Sequence, residues 1–200
     1  MTEALDALLQ EIRACRVCAD APTGRPLGHE PRPVVQAAST ARLAIFSQAP
    51  GARVHESGRP FTDASGDRLR DWLGIGPEIF YDASKVAIVP MGFCFPGHDA
   101  KGGDRPPRKE CAPLWRRRLL DLLPEIRTAI LVGSYAQKWH LGGTATSLTL
   151  SVESWRDFAP RYFPTPHPSW RNNVWLKRHP WFEAELLPQL RAAVRAALDG

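Results

Sequence analysis

Four cysteines are the residues with the most evident chemistry in this sequence. Cys15 and Cys18 form a C-x2-C pair, and Cys94 and Cys111 are separated by sixteen residues. Two thiolates at C-x2-C spacing reach the same metal, so a fold that brings the other two cysteines alongside would complete a four-sulfur site. Such a site suits either tetrahedral zinc or an iron–sulfur cluster, and the spacing alone does not distinguish them. The competing interpretation is four unrelated buried cysteines.

A second set of chemically capable residues follows apolar segments that are typical of buried strands. Gln48 comes directly after the run Leu43–Phe46, and His167 stands between Pro166 and Pro168, which restrict its backbone. Ligands of open α/β sheets bind beyond the carboxyl ends of the strands, so we expect these side chains at one edge of the sheet. The competing interpretations are an ordinary turn at Gln48 and a structural histidine at His167.

The elements that must position these residues alternate between strand and helix. The first helix, 3–15, is amphipathic and delivers the C-x2-C pair. A proline at 188 is expected to kink the C-terminal helix, which begins near residue 180. The alternation predicts a single domain, 1–200, with a three-layer α/β/α fold and a mostly parallel four-stranded sheet. Apolar patterning places strands at 42–47, 86–89, 128–132 and 161–164, and helices at 65–75, 108–123 and 133–139.

The charge of the chain favours an anionic partner. The net charge is +5 and the pI is about 9.3, with basic residues grouped at 105–109, 116–118 and 171–178. Such segments suit DNA, and the alternative for each is a solvated helix face. An apolar run of about 18 residues, which a membrane helix requires, is missing. The amino terminus does not resemble a secretory signal, so a cytoplasmic protein without structural disulfides is expected.

Several motifs carry a resemblance to a known family. Ser47–Gly51 reads Ser-Gln-Ala-Pro-Gly and is followed after six residues by Gly-Arg-Pro-Phe at 58–61. His167–Trp170 reads His-Pro-Ser-Trp, and Cys94 precedes a Pro-Gly turn. The chain resembles the uracil-DNA glycosylase superfamily, closest to its bacterial iron–sulfur group called family 4. That group has Gly-Glu-Ala-Pro-Gly as its first motif, and its fourth cysteine lies about as far beyond the third as Cys111 does from Cys94.

The resemblance implies a role for each matched position. Gln48 would hold the attacking water, His167 would stabilise the departing uracil at O2, and Phe61 would stack on the extruded base. Four cysteines would ligate a 4Fe–4S cluster, which the resemblance favours over zinc. The remaining matched residues would bind the base through their backbone (Ala49, Gly51, Met91, Gly92, Phe93) or hold DNA (Ser169, Trp170, Arg171).

Two departures from the family pattern bear on the chemistry. Gln48 replaces a glutamate, and a glutamine orients water but cannot accept its proton. Glu56 and Asp63 are nearby carboxylates that could supply this function. Pro90 stands where the family reads uracil with an asparagine, so recognition is expected to fall to amides of residues 91–93 or to His98.

The sequence therefore predicts a monomeric, monofunctional glycosylase that excises uracil, and other deaminated bases, from single- or double-stranded DNA. The matched motifs contain no lysine, which excludes attack by an amine at these positions. One alternative is a non-catalytic or covalently trapping binder of uracil-containing DNA, which would form a stable complex without product. Another is a cysteine-ligated electron carrier, which would show a reversible redox couple.

Overall fold

A four-stranded sheet lies at the centre of the protein. The computed structural model describes residues 2–142 and 147–199. Its strands are β1 (Leu43–Phe46), β2 (Val86–Ile88), β3 (Thr128–Val132) and β4 (Tyr162–Thr165). They lie in the order β2-β1-β3-β4, and every neighbouring pair is parallel. All four carboxyl ends therefore meet at one edge of the sheet, as predicted.

Helices cover both faces of this sheet. The amino-terminal helices are α1 (Thr2–Arg13), α2 (Val17–Asp20), α3 (Ala52–Ser57), α4 (Ala64–Leu73) and α5 (Pro77–Phe80). After β2 come a π-helical turn (Ala112–Arg116), α6 (Arg117–Asp121), α7 (Ser134–Leu141), α8 (Leu148–Glu153) and α9 (Trp155–Phe158). Beyond β4 lie a 3-10 turn (Trp170–Asn172), α10 (Asn173–Arg178), a second π-helical turn (Phe182–Leu186) and α11 (Leu187–Asp199).

Side chains along β1 point alternately to the two faces of the sheet, so the apolar core has two parts. Ala44 and Phe46 face the layer of α1 and the helical segment 112–121, whereas Leu43 and Ile45 face the layer of α4 and α11. Successive strand side chains point to opposite faces, so each face of the sheet buries its own set of helices. The predicted α/β/α fold is confirmed.

Several local predictions differ from the structure. Residues 52–57 are helical, although a loop was expected there, and residues 173–178, for which no element was predicted, also form a helix. The π-helical turn Phe182–Leu186 lies just before Pro188, where a proline cannot make the α-helical hydrogen bond. The predicted domain, 1–200, includes residues 1, 143–146 and 200, which lie outside the described residues. Across 2–142 and 147–199, none of the helices combines the length and apolarity that a membrane crossing needs.

Arg116 corrects the prediction of a basic surface at 116–118. Its side chain is fully buried, and its guanidinium donates to the carbonyls of Val89 (3.1 Å) and Pro90 (3.3 Å). It also lies 2.6 Å from Nε2 of His140 and 4.5 Å from the ring centroid of Phe46. Burial lowers the pKa of Arg116 to about 9. Arg116 thus fixes the backbone that follows β2, and it cannot contact DNA.

Candidate active site

Two adjoining spaces lie at the carboxyl edge of the sheet. The first, called here the inner cavity, encloses about 530 Å³ of space that opens to solvent. Phe61 and His167 both border it, although they are far apart in sequence. The other lining residues are Val34, Ser47, Ala49, Pro50, Gly51, Val54, Pro60, Asp63, Ser65, Ile88, Pro90 and Asp104.

The second space, called here the outer groove, is wider and carries most of the charge. It encloses about 1500 Å³ and shares Asp63, Asp104 and His167 with the inner cavity. Gln48 borders this groove. Four arginines also line it: Arg53, Arg68, Arg105 and Arg171. An arginine-lined groove that leads to an enclosed cavity matches an extended anionic polymer with one inserted unit.

Phe61 is held rigidly at the wall of the inner cavity. Its φ of 54° is unusual for a residue with a side chain, and its carbonyl accepts a hydrogen bond from the Tyr81 hydroxyl (3.0 Å). A Cβ added to Gly66 would lie 1.9 Å from that carbonyl oxygen, so α4 approaches closely only because residue 66 is glycine. The ring packs edge-on against Phe80 at 6.0 Å. These contacts fix the orientation of the ring before any ligand binds.

His167 is a neutral imidazole with a defined tautomer. The backbone N–H of Ser169 donates to its Nδ1 at 3.2 Å, so Nδ1 is unprotonated and the proton is assigned to Nε2. Burial is the main cause that lowers the pKa of His167, while Asp63 and Asp104 oppose this effect and Arg171 reinforces it. A neutral histidine with a free Nε2–H is suited to donate a hydrogen bond to developing negative charge.

Backbone amides on the β1 side of the inner cavity are available to a ligand. Ala49 and Gly51 border the cavity, and within residues 2–142 and 147–199 their N–H groups have no hydrogen-bond partner. Pro50 between them has no N–H to offer. Buried or partly buried amides need an acceptor, and a base carbonyl would supply one.

The amides of Met91, Gly92 and Phe93, by contrast, are already occupied. They donate to the carbonyls of Ser47 (2.8 Å) and Gln48 (3.0 Å) and to Sγ of Cys111 (3.3 Å), respectively. None of the three borders the inner cavity. The predicted base contacts at 91–93 are therefore corrected, because these bonds hold the loop after β2 against β1. Pro90 reaches the cavity in their place.

The carboxylates are distributed unequally around the site. Glu56 is exposed and borders neither the inner cavity nor the outer groove. Asp63 borders both and is the N-cap of α4, where its Oδ1 accepts from the Gly66 N–H (3.2 Å). Asp104 borders both as well, and its role could not be predicted from the sequence because it lies in a Gly/Pro-rich loop. Asp104 and the groove residues Arg53 and Arg68 are the site residues that sequence reasoning missed.

The loop after β4 presents an exposed aromatic at the rim of the outer groove. Trp170 is 73% exposed, and Arg171 beside it is exposed too. The loop backbone is fixed from two sides, because Arg68 of α4 donates to the Ser169 carbonyl (3.3 Å) and Asn172 Nδ2 donates to the His167 carbonyl (2.7 Å). An exposed tryptophan on a rigid loop is an arrangement that can insert between bases.

The four cysteines are brought together in a separate space beside the loop that follows β2. They line one further cavity, about 330 Å³ in size, whose other walls are mostly apolar. Cys18, Cys94 and Cys111 are buried, and all four cysteines are free. Burial raises the pKa of Cys94 and of Cys111 to about 12. The apolar walls are Ile12, Pro31, Pro33, Phe93 and Trp115.

This cysteine cavity has the composition of a metal site without its coordination geometry. In the described part of the chain, no three His, Cys, Asp or Glu side chains are arranged to hold a metal ion. Four thiols around an apolar space nevertheless fit a soft metal or an iron–sulfur cluster. The Phe93 N–H that points at Cys111 is the kind of donor that stabilises sulfur ligands. Cluster ligation stays a prediction.

The sequence also matches a known protein family. A family model described as the uracil DNA glycosylase superfamily matches residues 34–191. The match covers well over half of the chain and includes the inner cavity, the outer groove and the last two cysteines. It begins after Cys15 and Cys18, so it does not bear on the complete four-cysteine site.

Proposed function

Because this chain belongs to the uracil DNA glycosylase superfamily, we propose that it is a monofunctional DNA glycosylase that excises uracil and leaves an abasic site. The observation that carries the proposal is that His167 and Phe61 border the same inner cavity, so a hydrogen-bond donor and an aromatic ring are available to one extruded base. The experiment is direct measurement of uracil released from a single-stranded oligonucleotide by the purified full chain.

The inner cavity would hold the base between fixed groups. Phe61 would stack on its face, while the free amides of Ala49 and Gly51 would donate to its carbonyl oxygens. The Ser47 side chain is buried at the same wall and can contact the polar edge of the base. With Pro90 in place of an asparagine, recognition would rest on these groups, and hypoxanthine and xanthine are further candidate substrates.

Cleavage of the glycosidic bond moves negative charge onto the base. The Nε2–H of His167 would donate to uracil O2 as that charge develops, which lowers the barrier without a proton transfer. The outer groove would hold the DNA phosphates through its arginines and Ser169. Trp170 or Arg171 would fill the space that the extruded nucleotide leaves in the stack.

The cysteine cavity would hold a 4Fe–4S cluster with Cys15, Cys18, Cys94 and Cys111 as its ligands. When bound, the cluster supplies cross-links between α1–α2, the loop after β2 and the helical segment that begins at Ala112. The burial of three of the four cysteines supports a structural role over electron transfer. Zinc is the alternative occupant, and iron and sulfide analysis distinguishes the two.

Replacing Phe61 with leucine is expected to lower kcat/KM for uracil release by about 5- to 150-fold, because a stacked base loses roughly 1–3 kcal/mol when its aromatic partner is removed. Leucine keeps the position apolar, so folding should change little. Phe158→Leu, on α9 and outside both spaces of the site, is the matched control. Equal kinetics for Phe61→Leu and the control would contradict the stacking role.

A second candidate function is retained because Gln48 cannot accept a proton. The protein would then bind uracil-containing DNA without turnover or trap it covalently. A protein–DNA species that survives a denaturing gel, with no free uracil, would support this function. Release of free uracil with multiple turnovers would exclude it.

A further inference from the structure

Asp104 lies at the mouth that joins the inner cavity to the outer groove, next to the first motif. Hydrolysis of a glycosidic bond needs a group that takes a proton from water, and the usual position of that group in the first motif is a glutamine here. A carboxylate at the same mouth from another part of the chain could supply this function. The question is whether Asp104 is held well enough to do so.

A tight hairpin fixes the backbone of Asp104. His98 and Asp104 form an antiparallel bridge, and the Arg105 N–H donates to the Gly97 carbonyl (2.9 Å). The turn between them is closed by Asp99, whose Oδ1 accepts from the N–H groups of Lys101 (2.8 Å) and Gly103 (2.9 Å). The hairpin therefore holds residue 104 in one place at the edge of the sheet.

The side chain of Asp104 is oriented by a histidine and directed at the first motif. Its Oδ1 lies 3.2 Å from Nδ1 of His98. Its Oδ2 would lie 3.4 Å from a Cβ on Gly51, so the carboxylate rests against the backbone of the first motif. The charge of Asp104 also acts on His167 across the cavity. One carboxylate oxygen is thus engaged, and the other faces the site.

The other nearby carboxylates are less suited to accept a proton. Glu56 borders neither space of the site. Asp63 uses Oδ1 to cap α4, where it accepts the Gly66 N–H, so this oxygen is already committed to holding the start of the helix. Asp63 remains positioned to stabilise positive charge on the sugar.

We propose that Asp104 is the general base of the reaction, in an inference that rests on the proposed glycosylase function. Water attacks C1′ of the nucleotide and its proton passes to the Asp104 carboxylate. The bond from C1′ to uracil N1 breaks, and its electron pair leaves with the base, where His167 stabilises the charge at O2. The uracil anion takes a proton from solvent as it leaves and Asp104 returns its proton to solvent, so the products are uracil and an abasic sugar with a hydroxyl at C1′.

The test compares single-turnover uracil release by wild type, Asp104→Asn, and the double variant Asp104→Asn with Gln48→Glu. Asp104→Asn is expected to lose at least about 100-fold in rate, which is the usual range for a general base. Its affinity for an oligonucleotide with 2′-fluoro-2′-deoxyuridine, which resists cleavage, should stay within about threefold of wild type. Loss of the Asp104 carboxylate removes the general base and so slows the chemical step, while binding of the DNA changes little. The double variant returns a carboxylate to the first motif and should recover at least about tenfold of the lost rate.

Each other outcome is decisive. An active Asp104→Asn overturns the inference, and so does a slow Asp104→Asn that the second substitution fails to rescue, because damage to the hairpin cannot be repaired from Gln48. A larger loss of the uracil-release rate in Asp63→Asn or Glu56→Gln than in Asp104→Asn would assign the role of general base to that other carboxylate. If wild type releases no base at all, the proposed function fails and this inference fails with it.

Discussion

His167→Ala is expected to slow single-turnover uracil release by about 10²–10³-fold, the usual cost of removing one donor to a developing oxyanion. The structure gives the physical reason. The Ser169 N–H occupies Nδ1, which assigns the proton to Nε2, and burial keeps the imidazole neutral. The donor is therefore formed before the base binds, and its contribution appears mainly in the rate of bond cleavage. The measurement is rapid-quench release from excess enzyme.

His179→Ala is the control for this variant, because His179 lies at the end of α10 and borders neither space of the site. A loss below about threefold in His167→Ala would contradict the assigned role.

The lowered pKa of His167 also predicts that the stability of the folded protein depends on pH. The unfolded chain binds this proton below about pH 6.5 and the folded protein resists it, so folding should weaken as the pH falls through that range. His167→Ala should lack this contribution.

Cys94→Ser and Cys111→Ser are each expected to abolish the cluster and most of the folded protein. The four cysteines come from three separate parts of the chain and meet in one apolar cavity, so a bound cluster would cross-link α1–α2, the loop after β2 and the helical segment that begins at Ala112. A structural metal site contributes its binding free energy to folding, and the loss should be comparable to the whole stability of such a domain, about 5–15 kcal/mol. Iron and acid-labile sulfide per chain, together with thermal unfolding, measure the effect.

Ser154→Ala, at the exposed residue that follows α8, is the control for a small surface substitution. Wild-type protein prepared without oxygen should contain iron and sulfide in a ratio near that of the cluster. Zinc in place of iron would change the cofactor and keep the structural role. Wild-type protein that unfolds cooperatively with neither metal, or a Cys94→Ser variant of unchanged melting temperature, would show the cluster prediction to be wrong.

The sheet could be predicted because its strands are short apolar runs that are buried on both faces. This pattern is recognisable in the sequence without knowledge of tertiary contacts. Convergence of Gln48 and His167 at one edge followed from parallel pairing alone. The burial of Arg116 did have a sequence signal, because it shares a helical face with Ala112 and Leu119. The prediction of an exposed Arg116 rested on its charge and not on its place on this helical face.

Other features of the site could not be read from the chain. Whether the amides of residues 91–93 are free depends on hydrogen bonds to β1 and to Cys111, which are long-range contacts. Asp104 reaches the site only because the turn at Asp99 folds residues 98–104 into a hairpin, and a Gly/Pro-rich loop has no periodicity that predicts such a return. The sequence alone showed that Gln48 cannot accept a proton. Only the structure showed that Asp104 lies where it can take over this function.

The central claim is that this chain hydrolyses the glycosidic bond of deoxyuridine, and one measurement tests it most directly. The purified chain, prepared without oxygen, is mixed in excess with a single-stranded oligonucleotide that contains one uracil, and free uracil is quantified by mass spectrometry. We expect one uracil per strand and an alkali-labile abasic site at the same position. Intact strands, together with no release of hypoxanthine or xanthine from matched oligonucleotides, would contradict it.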